Sequence, residues 1–287
     1  MCDIAFLILH YNVVQETINC VNSIVDNIDS NNYNIVIVDN GSPNKSGGTL
    51  LEHFKNNSKV HVIINDTNLG FAKGNNVGFK YIKDTLNPNY IVMTNNDTIL
   101  KQKDFFSKIV SLYNKYNFSV LGPKVILPNS DISSSPMYLR LQSREEIEKS
   151  LKKIKLFYVL SFINADELLR GIYQKIKPKS SKSVSTIDHN SNIENCVLHG
   201  CCLIFSKKYI DLFDGLNDKT FLYREEEILY IRLMKHNLKS LYSNEVEIYH
   251  LEDVATNSMF SKPKKYRTFK YKHLIHSTQV LLNELNS

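Results

Sequence analysis

Nowhere does the sequence hold the roughly 18 consecutive apolar residues that a membrane-spanning helix requires. Its amino end enters the apolar stretch Ile4 to Leu9 directly, without a basic leader or a small-residue cleavage site. A soluble or peripheral cytoplasmic protein is expected. Cysteine is scarce, and Cys2, Cys20, Cys196, Cys201 and Cys202 have no metal-ligand spacing. The adjacent Cys201 and Cys202 are poorly placed for ordinary disulfides, so all five are expected to be reduced and buried. Low-complexity blocks are missing, and so is a strong excess of one charge: the net charge is +6, with the basic residues gathered in two segments. Broad nucleic-acid binding is therefore not implied. What remains is a chain of 287 residues, 43% hydrophobic, long enough for one large domain with additions.

Ile4 to Leu9 reads as a buried strand that ends at His10-Tyr11-Asn12. Val14 to Asn27 has helical apolar spacing, with Ile18, Val21, Ile24, Val25 and Ile28 as the expected buried face. A second strand, Ile35 to Val38, ends at Asp39-Asn40-Gly41-Ser42; Thr49 to Phe54 gives a short helix, and Val60 to Ile64 a third strand. This alternation predicts a parallel sheet with right-handed crossovers and a ligand site at its carboxyl edge. Tyr90 to Thr94 is a further apolar run, stopping at Asn95-Asn96-Asp97. At a strand end Asp97 is placed to hold a hard cation and Asn95 to offer neutral hydrogen bonds, although the same residues also suit a plain polar turn. In Asn68 to Phe79, Gly70, Gly74 and Gly78 recur every fourth residue as a helix begins, and Lys73 favours an anion there. The spacing fits neither a phosphate loop nor the dinucleotide fingerprint, and glycines for close helix packing are the competing explanation.

The second half is less uniform. Arg144 to Lys177 has helical character, with Ile147, Leu151, Ile154, Tyr158, Leu168, Ile172 and Ile176 as an apolar stripe flanked by lysines. Such a basic amphipathic helix can lie on an anionic membrane, and can equally be a lid or a dimer arm. Lys177 to Asn195 reads as a mobile loop, a candidate flap. Val197 to Phe205 reads as a strand and Lys207 to Phe213 as a short helix. Glu225-Glu226-Glu227 open another helix that runs to about His236, where acids complement the dipole of a first turn. Lys239 to Tyr242 and Val246 to Tyr249 are the last expected strands, the latter ending at His250. Lys262 to Lys272 carries six basic residues and no acid, and leads into a helix ending near Leu285. It suits lipid phosphates, an acceptor diphosphate or plain solvent.

Taken together, HYN at 10–12, VDNGS at 38–42, NLGFAKGNNVGF at 68–79, TNND at 94–97, LGPKV at 121–125, HGCCLIF at 199–205 and TFLYREEEIL at 220–229 resemble the inverting family-two glycosyltransferases. The resemblance implies a GT-A fold: a mixed, mostly parallel central sheet with helices on both faces, here with a helical insertion and a carboxy-terminal helix. It implies a sugar-nucleotide half at 1–130, an insertion at 131–195, an acceptor and catalytic half at 196–260 and a basic helical segment at 261–287. Tyr11, Asn12, Asp39, Asn40, Asn68, Gly70, Lys73, Asn76, Asn95 and Asn96 then fall on the donor nucleotide side. His199, Gly200 and Tyr223 fall on the acceptor side. Glu225 and Glu226 match the catalytic acid pair, with Glu226 the base and Glu227 solvated. Asp97 and His250 match a divalent metal site for Mn²⁺ or Mg²⁺. Asn95 departs from the family's Asp-x-Asp motif, and one charge fewer should weaken metal binding before the diphosphate arrives.

By the same resemblance the donor is a UDP- or dTDP-sugar. The acceptor is a glycan or an undecaprenyl-diphosphate-linked oligosaccharide of bacterial capsule, O-antigen or cell-wall assembly, often with rhamnosyl transfer, at the inner face of the plasma membrane. A homodimer is compatible with this. Competing readings are a nucleotidyltransferase, disfavoured because HYN is not its Gly-rich signature, and an inactive sugar-nucleotide sensor or scaffold, motivated by Asn95 and Arg224. A membrane-recruitment adaptor would explain the basic segments but none of the strand-end motifs.

Overall fold

The computed structural model describes residues 2–128, 133–167, 187–251 and 263–286. In chain order the elements are β1 (Ile4–His10), α1 (Val14–Asn27), β2 (Tyr33–Asp39), α2 (Ser46–Phe54), β3 (Val60–Ile64), α3 (Phe71–Tyr81), β4 (Tyr90–Asn95), β5 (Thr98–Ile99), α4 (Phe105–Tyr116) and β6 (Val120–Ile126). There follow α5 (Arg144–Ser161), β7 (Ile193–Glu194), β8 (Cys202–Ser206), α6 (Lys207–Ile210), α7 (Glu225–Lys235), β9 (Ser240–His250) and α8 (Pro263–Glu284).

The apolar runs of the first half become central strands because both of their faces are covered. Ile4, Phe6, Ile8, Ile35, Ile37 and Val92 point to one side, against Cys20, Val21 and Ile24 of α1 and Phe105 and Ile109 of α4. Ala5, Leu7, Val36, Val38, Ile91 and Met93 point to the other, against Ala72 and Phe79 of α3 and Leu229 and Leu233 of α7. Full burial of each large side chain stabilises the fold by about 1.5–3 kcal/mol. Val25 departs from the expected buried face of α1: it is exposed, because the helix presents Thr17, Cys20, Val21 and Ile24 to the sheet. All five cysteines are buried and free.

The sheet order is β3-β2-β1-β4-β8-β6-β9-β5, with β7 beside β9. β1, β2, β3, β4, β6 and β9 run in one direction, and β5, β7 and β8 oppose them. From β1 the chain winds outward through β2 to β3, then crosses back to place β4 on the other side of β1. That reversal opens a crevice beyond the carboxyl ends of β1 and β4, the place where open α/β sheets bind ligands.

Three departures from the expected elements bear on the site. The last two expected strands are one continuous strand, β9, whose register against β6 jumps between Pro123 (opposite Ser243) and Lys124 (opposite Glu247). Pro123 has no N–H to give the ladder, so the pairing is interrupted without ending the strand. The run expected to be a strand from Val197 begins its strand only at Cys202; before that, Val197 bridges Tyr138 and the chain turns at Gly200. Helix α5 stops at Ser161, whose hydroxyl bonds back to Tyr158 O at 2.6 Å, and Asn164 follows in the left-handed region at φ 58°. Residues 168–186, which carry the rest of that expected helix and most of the expected flap, and residues 252–262 lie outside the described residues.

A third cluster joins Ile147 of α5, Ile228 and Ile231 of α7 and Val280 and Leu281 of α8. At the other end of the α5–α8 pair, Asp166, fully buried, accepts from Arg267 Nε at 2.9 Å and from the Tyr271 hydroxyl at 3.2 Å. Helix α8 is thereby fixed over α5 and along the edge of the crevice.

Candidate active site

A cavity of about 540 Å³ lies in the crevice, of a size ordinary for a ligand site. Tyr11 reaches it from the end of β1, Asn95, Asn96 and Asp97 from the end of β4, His199 and Gly200 from the turn before β8, Tyr223, Glu225 and Glu226 from the start of α7, and His250 from the end of β9. Residues from β1 to the end of β9, distant in the chain, thus meet at one sheet edge.

Asp97 and His250 are brought together by backbone. Thr98 pairs with His250 across β5 and β9, and the Leu251 N–H donates to Asp97 O at 2.9 Å. Asp97 Oδ1 then stands 3.1 Å from His250 Nε2. Yet the two atoms are out of line for a hydrogen bond, and among the described residues both lack a hydrogen-bond partner while buried. A buried oxygen and a ring nitrogen side by side, neither satisfied, form a donor set that suits a divalent cation. Among the described residues no third His, Cys, Asp or Glu joins them to complete a cage. Any cation held here needs further oxygens from a ligand or from water.

The loop that carries Asp97 is braced from below. Asn96 Nδ2 donates to Thr17 Oγ1 at 3.0 Å, Thr17 meets His10 Nδ1 at 2.7 Å, and His10 Nε2 meets Ser46 Oγ at 2.8 Å. Burial lowers His10 to about 4, against the smaller opposing effect of Asp39, so this linkage is neutral at physiological pH.

On the opposite wall α7 begins abruptly. Tyr223 and Arg224 both have positive φ, 76° and 70°, a costly conformation for side-chain-bearing residues that turns the chain sharply into the helix. Glu226 consequently faces the cavity with Oε1 against Gly200, where a Cβ would lie only 2.7 Å away. Burial, and then the charge of Glu227, raise the Glu226 carboxyl to about 7, while the Gly200 N–H opposes that shift. Burial and the charge of Glu226 raise Glu225 likewise, to about 8; Thr220 Oγ1 donates to it at 2.9 Å. Two adjacent carboxyls poised near neutrality suit proton transfer. Glu227 is not solvated, contrary to expectation: it is buried and ion-paired with Arg224, because the tight turn folds that guanidinium back over the helix start.

His199 is held neutral as well. Its Nδ1 accepts from the Cys201 N–H at 3.2 Å, and burial followed by the charge of His250 lowers it to about 4. Its ring centroid lies 6.1 Å from that of His250.

Other expected donor-side residues sit beside the cavity rather than on its wall. Asp39 is buried and accepts from the Ser42 hydroxyl and N–H. Asn40 is a hub: its Nδ2 donates to Asn68 Oδ1 at 3.1 Å and to Gly70 O at 3.0 Å, and its Oδ1 accepts from Leu69 N at 3.1 Å. The Asn12 N–H donates to Ser42 Oγ at 2.9 Å. Gly70, at φ 84°, is crossed by Phe221, whose carbonyl accepts from the Phe71 N–H at 2.7 Å; a Cβ on Gly70 would lie 2.3 Å from that oxygen. Asn76 is engaged with both backbone groups of Leu216, at 2.9 and 2.7 Å, and so pins the loop before α7. Lys73 is exposed, away from the cavity lining.

The cavity also takes in Met137, Tyr138, Leu222 and Leu274, which the sequence reading missed. Tyr138 is fixed by its backbone pairing with Val197, and Leu274 arrives on α8. Neither position carries a local sequence signal, since both depend on how distant segments pack.

Residues 6–213 match the model of glycosyl transferase family 2, and the chain belongs to that family. It is a glycosyltransferase. A curated relative, the low-salt glycan biosynthesis hexosyltransferase Agl10 of Haloferax volcanii, is 22% identical over 95% of this chain and 75% of its own length. Among solved structures, S. aureus TarS 1–349 in complex with UDP-GlcNAc aligns with a TM-score of 0.56 and 15% identity, covering 99% of this chain and 72% of that one. The same fragment without that ligand aligns with a TM-score of 0.53 and 13% identity, over 87% of this chain; the chain spans 60% of its length. This likeness establishes the fold, the GT-A type expected from the motifs.

Proposed function

We propose that the protein is an inverting glycosyltransferase that moves a sugar from a UDP- or dTDP-linked donor to a hydroxyl of a glycan or lipid-linked oligosaccharide. The observation that carries this reading is the meeting of Glu226 with the unsatisfied Asp97–His250 pair in one cavity. The TarS complexes with UDP-GlcNAc and UDP support a nucleotide donor, and the glycan-biosynthesis role of Agl10 supports a glycan product. Assembly of a bacterial surface polysaccharide at the inner membrane face, rhamnosyl transfer included, is the biological setting of this reading. The donor belongs to the half spanning 1–130 and the acceptor to the half spanning 196–260.

Glu226, raised toward neutrality, takes the proton of the acceptor hydroxyl as that oxygen bonds to the anomeric carbon. The bond from that carbon to the diphosphate oxygen breaks on the opposite face, so configuration inverts and the nucleoside diphosphate leaves. Asp97 and His250 would hold a divalent cation, which supplies charge neutralisation to the departing diphosphate. Glu225, bonded to Thr220, sets the orientation of the helix start and the charge beside the base. Arg224 Nε, buried and without a hydrogen-bond partner among the described residues, adds positive potential to the same wall.

The experiment is a thermal-shift screen of UDP-, dTDP- and GDP-sugars with Mn²⁺ and Mg²⁺, followed by donor hydrolysis without acceptor. Stabilisation and slow hydrolysis by one donor are expected. Stabilisation without hydrolysis or transfer by any donor would reject catalysis of this kind.

A further inference from the structure

The exposed face of α5 changes character along its length. Lys149, Lys152, Leu156 and Val159 follow one another at helical spacing, so they share one side of the helix. The sequence continues through the exposed turn residues Phe162 and Ile163. Leu156 is 56% exposed, Val159 65%, Phe162 53% and Ile163 74%, a contiguous group of large apolar side chains left in water. Most exposed apolar residues elsewhere on the surface are scattered; a group of this kind at one site marks a contact surface.

Among the described residues, the charges around it that are left without an opposite partner are basic. From 149 to 163 the chain has four lysines and no acid, and α8 brings the exposed Lys264, Lys265 and Lys272 alongside, while Lys270 lies over the Tyr223 ring at the cavity. Lys264 Nζ donates to Phe162 O at 2.8 Å, which joins the two basic stretches at the apolar group. The nearby acids are engaged: Glu148 with Arg144, Asp166 and Glu167 with Arg267. Among the described residues, Lys152, Lys155 and Lys265 have no carboxylate partner.

We propose that this face docks the enzyme on an anionic lipid bilayer, with Leu156, Val159, Phe162 and Ile163 entering the headgroup boundary and the lysines meeting lipid phosphates. No helix among the described residues is long and apolar enough to cross a membrane. The position of this face is consistent with work on a membrane-held substrate. Leu274 of α8 lines the catalytic cavity and Lys264 lies ten residues earlier on the same helix, which places the docking face about 15 Å along the helix axis from the cavity wall. The inference stands independently of sugar transfer, because lipid binding requires neither donor nor acceptor.

The test uses the full chain and sedimentation with large unilamellar vesicles of phosphatidylcholine, alone or mixed with phosphatidylglycerol. Binding is expected only with the anionic lipid, and should weaken as salt is raised. Replacing Lys152 and Lys155 by serine should lower it roughly 30-fold, the loss expected for two lysines at a charged surface. Leu156→Ser with Val159→Ser should lower it at least about 10-fold. The sequence has no tryptophan, so Phe162→Trp gives a single reporter at an exposed position. Its emission should move to shorter wavelength on adding anionic vesicles and be quenched by brominated acyl chains. Unchanged melting temperatures would show that these surface variants fold. Equal binding to both vesicle types, binding indifferent to both double substitutions, or an unchanged tryptophan emission would overturn the proposal. So would a dimer by light scattering that Val159→Ser dissociates, since a second copy would then occupy the face.

Discussion

A methyl group placed on Gly200 would come within 2.7 Å of Oε1 of Glu226. The turn before β8 therefore has room for the carboxyl only because residue 200 has no side chain. Gly200→Ala is expected to fold, since the conflict is with the movable end of a side chain, but to displace the base and lower transfer. Glu226→Gln should lower transfer by at least roughly 10²-fold, the scale of general-base catalysis, while donor binding survives. Steady-state kinetics beside donor titration would check both variants; a Glu226→Gln enzyme at wild-type rate, with Glu225→Gln inactive, would reassign the base to Glu225.

The unsatisfied atoms of Asp97 and His250 make a second prediction. UDP or dTDP with Mn²⁺ should raise the melting temperature, and a chelator should remove that gain. His250→Ala and Asp97→Ala should each weaken metal-dependent stabilisation, with transfer reduced by about 10²-fold or more if the cation contributes several kcal/mol. Nucleotide stabilisation that persists unchanged in chelator would exclude a coordinated ion.

The titration of the acid pair has a definite sign. Glu225 and Glu226 are raised from 4.5 to about 8 and about 7 in the folded chain, so the native state holds protons that the unfolded chain releases. Their stabilising contribution is complete below about pH 4.5 and declines as pH rises through 7 to 8. Catalysis should move the opposite way, because the base must be ionised: kcat/KM is expected to rise with an apparent pKa near 7. Melting of the donor-free protein across this range should show the decline, and Glu226→Gln should flatten it. A melting profile independent of pH in both proteins would contradict the buried acid pair.

Asn40 offers a test of the scaffold. Asn40→Ala would leave Asn68, Gly70 and Leu69 each short of one hydrogen bond, at about 1–3 kcal/mol for every group that water does not reach. Gly70→Ala should cost about 1–3 kcal/mol for its backbone conformation alone, with the Phe221 contact adding to it. Chemical denaturation should place both variants below wild type. If Gly70→Ala is neutral, Phe221 does not press on the loop at Gly70.

Much of this arrangement is legible in the sequence. The continuous apolar runs around Phe6, Ile37 and Val92 declared strands covered on both sides, and the polar residues at their ends declared the sheet edge. The motifs placed Asp97, Glu226 and His250, and the fold assembled them. What the sequence did not disclose depends on contacts between distant segments. Glu227 looked like a surface acid because nothing local says that Arg224 turns back to meet it. That Lys73 is exposed and off the cavity lining depends on its helix phase, which is set by how α3 packs. Asn40 and Asn76 carry the same amide whether it meets a ligand or a neighbouring loop, and only the packing decides. Tyr138 and Leu274 belong to segments with no motif at all.

Strand β9 carries His250 at its last position, and three residues, Asn244, Glu245 and Val246, are skipped in its pairing with β6. That slack has a consequence for how the chain tolerates change in length. A residue inserted at 244–246 can be taken up where pairing is already broken, leaving the imidazole aimed as before. The same insertion between Glu247 and Tyr249 would rotate every following side chain to the other surface of the sheet, and the imidazole would point away from Asp97 with no residue removed.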